Sequence, residues 1–395
     1  MSIAFIDLKQ QQARIRAKIE AGLSTVLDHG AYIMGPEVGA LEARLGEWTG
    51  AAHNISCSSG TDALLLALHG LELQPGQGVI VPSFTFAASA EVMPVMGAIP
   101  VFAEVEADSF NLDPNKLDAA LATGKAADID VVGIIGVGLF GQPANYDAIR
   151  AFATQHGLWL IDDAAQSFGA QWQGQPVGQL ADVTCTSFFP AKPLGAYGDG
   201  GAVFTNDDHI AEIIRSCRIH GMGKDKYQNV RIGMTGRLDS MQAVILDAKL
   251  DIFEDELRLR QTVAEHYHTL LGDIVGTPQL ASGATSSWAQ YCIKLPNNID
   301  RAAVISYLGA HGVPTAIYYP VPMHQQPPYI DFPQSQCGLG VTCDLSARVL
   351  ALPMHPYLED TQQQYIAAQL FDALKSASAD ASVDDANAAT TMAGA

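Results

Sequence analysis

The sequence predicts an α/β protein: a large domain on a mostly parallel sheet covered by helices, followed by a smaller C-terminal α/β domain. Short β-branched runs at 79–81, 99–102, 131–135, 158–161, 183–188 and 202–204 recur with helical patterns between them. Few tight hairpin dipeptides separate these runs, so the connections are crossovers and the strands are covered on both faces. Length supports two units, because 395 residues at 48% hydrophobic content fill one large core and a smaller one.

Taken in order, residues 9–27 form an amphipathic helix ahead of the sheet, and 62–71 a helix capped by the Ser/Gly/Thr cluster before it. Residues 238–271 are a long helical stretch rich in acid and base, suited to joining two domains. Strand and helix patterns then repeat on a smaller scale over 286–373. The expected division is therefore 1–250 for the arm and large domain, 251–375 for the connecting helix and small domain, and 376–395 for a disordered tail. That tail is Ala, Ser, Asp and Thr with almost nothing to bury. No repeat of fixed period occurs.

A formal charge of −20 excludes nucleic acid and anionic membrane as expected partners, since both need basic surface. No apolar run is long enough to span a bilayer and the N-terminus lacks a secretory pattern, so the expected location is the cytoplasm. The six cysteines stand at irregular spacings without a C-x-x-C pair. Buried free thiols are expected, with no metal site and no disulfide framework.

Three segments carry chemistry. In Ser187-Phe188-Phe189-Pro190-Ala191-Lys192-Pro193-Leu194-Gly195, a lysine flanked by prolines past an apolar strand is aimed by a stiff loop. Such an amine, if its pKa is lowered, condenses with an aldehyde cofactor and shuttles a proton; a lone lysine of this kind is otherwise a surface residue. In Ser58-Ser59-Gly60-Thr61-Asp62-Ala63-Leu64, free amides at a helix start make a phosphate cradle, or simply an N-cap. The strand 158–161 ends in Asp162-Asp163-Ala164-Ala165-Gln166. A carboxylate there is costly unless paired, and a protonated pyridine nitrogen is one partner; a solvated strand end or helix cap is the bland alternative.

A fourth segment points elsewhere. Gly136-Val137-Gly138-Leu139-Phe140-Gly141 fits the dinucleotide-binding pattern, with Asp162 and Asp163 about the right distance downstream. It supports a nicotinamide-dependent oxidoreductase as the alternative. Against it, Gln142-Pro143 places the helix start at Pro143 and leaves the three glycines in the loop.

At these residues the chain resembles the DegT-type (DegT/DnrJ/EryC/StrS) sugar aminotransferases, a branch of the fold-type I PLP-dependent transferases. The motifs run in order from Phe5-Ile6-Asp7-Leu8 through Tyr32-Ile33-Met34-Gly35-Pro36, Ser59-Gly60-Thr61-Asp62-Ala63-Leu64, Pro82-Ser83-Phe84-Thr85-Phe86, Asp163-Ala164-Ala165-Gln166, the Lys192 segment and Arg237-Leu238-Asp239-Ser240-Met241-Gln242-Ala243 to Leu352-Pro353-Met354-His355-Pro356. The resemblance implies that Lys192 carries pyridoxal 5'-phosphate covalently and Asp163 pairs with its pyridine nitrogen. It implies further that Phe86 stacks on the ring, Gln166 lies near the ring hydroxyl, and Gly60, Thr61 and Ser187 hold the phosphate. Family members place an Asn where this chain has Thr235, reaching the phosphate from the neighbouring subunit; Thr keeps a donor there. A homodimer with shared active sites is expected. Lys192, where dehydrating members have His, argues for amino transfer, and intact Lys192, Asp163 and Ser187 argue against a regulator that only keeps the fold.

Within the family, Val230-Arg231-Ile232-Gly233-Met234 and the Lys192 segment look most like enzymes that aminate C3 of UDP-2-acetamido-2-deoxy-3-keto-glucuronate for surface polysaccharide. A transaminase for a dTDP- or UDP-linked keto-6-deoxy sugar is the neighbouring possibility. The expected amino donor is glutamate. Arg237, Tyr319 and His324 are the candidates for holding substrate, with Arg237 suited to two-point contact with a carboxylate; alternatively Arg237 pairs with a helix acid and His324 is a core histidine.

Overall fold

The computed structural model describes the backbone of residues 3–225 and 227–392, with side chains described through Ala377. In chain order the helices and strands are α1 (Leu8–His29), α2 (Pro36–Thr49), β1 (His53–Cys57), α3 (Gly60–Gly70), β2 (Gly78–Pro82), α4 (Ala88–Val95), β3 (Ile99–Ala103), α5 (Leu117–Ala126), β4 (Val131–Val137), α6 (Tyr146–His156), β5 (Trp159–Asp163), β6 (Gln171–Trp172), β7 (Gln175–Pro176), β8 (Val183–Ser187), β9 (Gly201–Thr205), α7 (Asp208–Cys217), α8 (Ser240–Leu271), β10 (Tyr291–Lys294), α9 (Arg301–Ala310), α10 (Gly340–Arg348), β11 (Val349–Leu352) and α11 (Asp360–Met392).

Seven strands form one sheet in the order β1-β9-β8-β5-β4-β2-β3. Neighbours from β3 to β8 are parallel, and β9 runs antiparallel to both β8 and β1. The apolar runs are buried on both sides because successive side chains face opposite ways. Val79, Val81, Ile135, Val137, Ile161 and Val183 pack with α3, α4 and α7. Ile80, Val101, Ile134 and Leu160 face the other layer, where Leu117, Leu121, Tyr146 and Ile149 of α5 and α6 cover them. Register pairs Val137 with Asp163 and Asp163 with Cys185, so β4, β5 and β8 end side by side. In open parallel sheets that carboxyl edge is where ligands bind.

A separate core joins Val263, Tyr267 and Leu271 of α8 to β10, β11, α9 and α11, through Tyr291, Ile293, Leu308, Leu350 and Ile366. The expected tail from 376 lies almost wholly beyond the described side chains; the backbone of α11 extends to Met392, and residues 393–395 fall outside the described residues. Among the described residues no helix is long and apolar enough to cross a membrane.

Three expectations need correction. The helix after the glycine-rich segment starts at Tyr146, because the Asn145 side chain accepts the Ala148 N–H and so caps it there; Gly136 belongs to β4. Cys57, Cys185, Cys217 and Cys292 are buried, but Cys337 is exposed and Cys343 half-buried, both in loop or helix-end positions near the surface. Strand β1 was not foreseen, since His-Asn-Ile-Ser-Cys carries only one β-branched apolar residue; its place at the sheet edge, paired to β9 alone, tolerates polar side chains.

Candidate active site

At the N-terminus of α3, the Ser59 side chain accepts the Asp62 N–H at 3.0 Å, which leaves the first-turn amides of Gly60 and Thr61 facing the sheet edge. Gly60 is required by proximity: a Cβ there would stand 2.6 Å from the Ser187 Cβ at the end of β8. The two elements meet beside a cavity of about 420 Å³ lined by Ser59, Gly60, Thr61, Phe86, Asp163, Gln166, Ser187, Lys192 and Tyr319, among others.

Asp163 ends β5 and is only 5% exposed. Its Oδ2 accepts the Ser89 hydroxyl at 2.7 Å and its Oδ1 the Ala165 N–H at 3.2 Å. Burial pushes this carboxyl up, while Ser89, the Ala165 amide and nearby Lys192 oppose the shift. Its neighbour Asp162 points to the opposite face, where Tyr146 donates to it at 2.6 Å, and burial raises it to about 7. Alternation along β5 therefore sends one carboxylate into the cavity and keeps the other beneath the sheet.

Lys192 sits on the loop between β8 and β9. Hydrogen bonds from Phe188 N–H to Gly200 O, from Ala196 N–H to Phe188 O and from Lys192 N–H to Phe189 O, all 2.7–2.8 Å, hold that loop shut at its base. Burial among protein atoms lowers the Lys192 ammonium to about 8, against the pull of Asp163. The amine is thus poised near neutrality on the wall of the cavity.

Gln166 is fixed at both ends: its Oε1 accepts the Phe140 N–H at 2.8 Å and its Nε2 donates to the Tyr319 hydroxyl at 3.1 Å. Phe86 is 54% exposed, its ring 6.0 Å from that of Tyr319. Not every candidate reaches the cavity. His324 is buried behind it, its Nδ1 2.7 Å from the Ser83 hydroxyl, which also accepts the His324 backbone N–H. Arg237 is half-buried off the cavity lining, its Nε without a hydrogen-bond partner among the described residues. Thr235 is exposed, with its hydroxyl 2.8 Å from His220 Nε2. Sequence reasoning missed Ser89, Gln290 and Tyr318; the first lies 74 residues from the aspartate it serves and only folding reveals the contact.

These residues fit pyridoxal phosphate. A buried carboxylate, a lowered amine, an amide cradle kept open by a glycine, and an exposed aromatic face surround one space. A parallel sheet with a strand-end aspartate and a loop lysine at its carboxyl edge marks the fold-type I pyridoxal-phosphate-dependent transferases. Comparison narrows the class: the sequence profile of the DegT/DnrJ/EryC1/StrS aminotransferase family matches residues 13–371, and the chain belongs to that family. It is a pyridoxal-phosphate-dependent aminotransferase.

A UDP-2-acetamido-2-deoxy-3-oxo-D-glucuronate aminotransferase of Pseudomonas aeruginosa is 47% identical, over 93% of this chain and 99% of the relative. A UDP-N-acetyl-3-dehydro-alpha-D-glucosamine 3-aminotransferase of Acidithiobacillus ferrooxidans is 41% identical, over 93% of this chain and 96% of the relative. A crystal structure of a DegT DnrJ EryC1 StrS aminotransferase from Brucella abortus superimposes with a TM-score of 0.91 at 45% identity, covering 94% of this chain and 99% of that one.

Proposed function

We propose that the enzyme carries an amino group from glutamate to C3 of a UDP-linked 2-acetamido-3-keto sugar, with the 3-keto-glucuronate as the substrate, in building a surface polysaccharide. The observation that carries the chemistry is Lys192, lowered to about 8, sharing one cavity with buried Asp163. The names of the two relatives support the C3 keto sugar over a keto-6-deoxy sugar.

Bound in the cavity, pyridoxal phosphate supplies an electron sink for the pair left when the substrate C–H bond breaks. Lys192 is the residue to carry it, and Asp163, oriented by Ser89, holds a negative charge against the pyridine nitrogen. The amides of Gly60 and Thr61 with the Ser187 hydroxyl take the phosphate at the start of α3, where the helix dipole favours an anion. Phe86 offers its face to the ring, and Gln166 is held within reach of the ring hydroxyl. With Nζ near 8, both amine and ammonium are populated at neutral pH, so Lys192 removes a proton from the substrate carbon and returns it.

A homodimer completes this reading. Tyr227, Val230 and Ile232 are 87%, 51% and 88% exposed on the segment that leads to Thr235, an apolar set that water disfavours. A second copy covers them and brings Thr235 and His220 towards the neighbouring phosphate cradle. Ile232→Lys tests this by light scattering, with a monomer expected; an unchanged dimer rejects the interface. A reducing cytoplasm suits the free thiols.

The first test is an absorption spectrum. Purified enzyme with pyridoxal phosphate should show a visible band that moves to the near ultraviolet on adding glutamate, and return on adding the keto-sugar nucleotide. A colourless protein rejects the cofactor site; a response to glutamate but to no keto-sugar nucleotide rejects the substrate.

A further inference from the structure

The glycine-rich segment after β4 has no part in the mechanism above, yet it is tied to both sides of the cavity. Phe140 adopts φ 61°, a left-handed turn that sends its N–H to Gln166 Oε1 at 2.8 Å and its carbonyl to the Gln290 N–H at 3.3 Å. Gly141, at φ 123°, lies so close to the segment before β10 that a Cβ would stand 2.6 Å from Trp288 N. Ser287 closes the contact: its N–H donates to Gly141 O at 3.0 Å and its hydroxyl to Gln166 O at 2.6 Å. The turn thus clasps residues 286–290 against the strand ends and delivers Gln290 to the cavity, where it lines the wall with Val137, Gln166 and Tyr319.

The two glutamines differ. Gln166 commits both amide atoms to Phe140 and Tyr319. Gln290 Oε1 is buried and has no hydrogen-bond partner among the described residues. A buried acceptor left open is unfavourable until a donor completes it.

We propose that Gln290 is a specificity-determining residue: its Oε1 accepts a hydrogen bond from an N–H or O–H on a ring carbon next to the carbon that receives the amino group. This rests on the sugar-nucleotide reading above. The reacting carbon must come within reach of Lys192 Nζ, so the groups on its flanking carbons meet the cavity wall. A sugar offers an amide or hydroxyl donor there. Glutamate does not, because its one donor is the amine that reacts and its remaining oxygens are acceptors. Gln290 therefore acts in the sugar half of the reaction.

The test uses holoenzyme and follows each half-reaction separately by stopped-flow absorption. Gln290→Leu, close in size and without polar atoms, should slow the sugar half about 10- to 100-fold, the range expected when one buried hydrogen bond is lost. It should change the glutamate half less than about threefold. With substrate analogues lacking the donor at C2 or at C4, wild type and Gln290→Leu should converge for one of the two. Gln290→Glu, which keeps an acceptor, should retain more of the sugar half than Gln290→Leu. An unchanged sugar half, or equal loss in both halves, overturns the proposal, the latter marking Gln290 as structural. A wild-type enzyme that reacts with glutamate but with no keto-sugar nucleotide removes the parent reading and this proposal with it.

Discussion

Two lysines in this molecule have their ammonium lowered by burial to about 8, Lys192 on the loop after β8 and Lys249 on α8. Their surroundings differ. Lys192 lines a cavity of about 420 Å³ beside Asp163. Lys249 is 1% exposed, with Nζ 4.7 Å from the Tyr197 ring centroid and no hydrogen-bond partner among the described residues. Ile15, Ile19, Ile245 and Ala248 pack around that tyrosine. Glu256 raises Lys249 and Arg260 lowers it, so one carboxylate serves two buried cations and the ammonium is only partly compensated. A lowered amine is common to both; what makes one of them a reagent is the adjoining space and the carboxylate that shares it.

The sharpest way to break this comparison is to remove each amine. Lys192→Ala should abolish transamination while its melting temperature stays close to wild type, whereas Lys249→Met should keep kcat within about threefold, a surface-like effect on chemistry. Turnover in Lys192→Ala would end the distinction. Asp163→Asn comes next, with a loss of about 10²- to 10³-fold in kcat, the scale of one preorganised electrostatic contact; a small change would mean the carboxylate is structural.

The pH response separates the two sites in another way. The uncharged Lys192 amine is the reactive form, so covalent reloading of apoenzyme should rise about tenfold per pH unit and level off above about 8. A rise that continues beyond pH 10 would describe an ordinary exposed lysine. For Lys249 the effect is on stability and is the smallest. Its folded value, about 8, lies below its ordinary 10.5, so the unfolded chain binds more protons between those limits. Stability therefore climbs across that window, and the burden of the buried charge is fully present below pH 8. Lys249→Met should stabilise the protein by about 1 kcal/mol at pH 7 in urea unfolding. The gain should fade above pH 10.

This contrast also explains what sequence alone revealed. Lys192 is legible because prolines flank it and a strand precedes it, and Asp163 because it ends an apolar run; both signals are local. Lys249 lies in a regular helix among other charged residues, and nothing in its neighbours marks it as buried. The sheet was legible wherever its strands are continuous and β-branched, and β1 was missed where an edge strand is polar. Gln290 and Ser89 escaped notice for a different reason. Each acquires its importance from a partner far along the chain, Phe140 in one case and Asp163 in the other. The glycine pattern at 136–141 imitates a dinucleotide loop because close approach needs glycine whatever the neighbour: a Cβ at Gly136 would meet Tyr146, one at Gly138 the Ser167 side chain, and one at Gly141 residues 286–288.

Helix α8 has 32 residues, a rod of about 48 Å. Leu246, Leu250 and Phe253 of its first half are bricks in the large core, and Val263, Tyr267 and Leu271 of its second half in the small one. Near its start, Gln242 Oε1 accepts the Tyr197 N–H at 2.9 Å, a few residues from Lys192. A helix propagates order along its own length, so neither core can melt without loosening the shared rod. The two lobes should therefore unfold in one calorimetric peak, and a thermal insult to the small lobe would disarm the catalytic lysine in the same event.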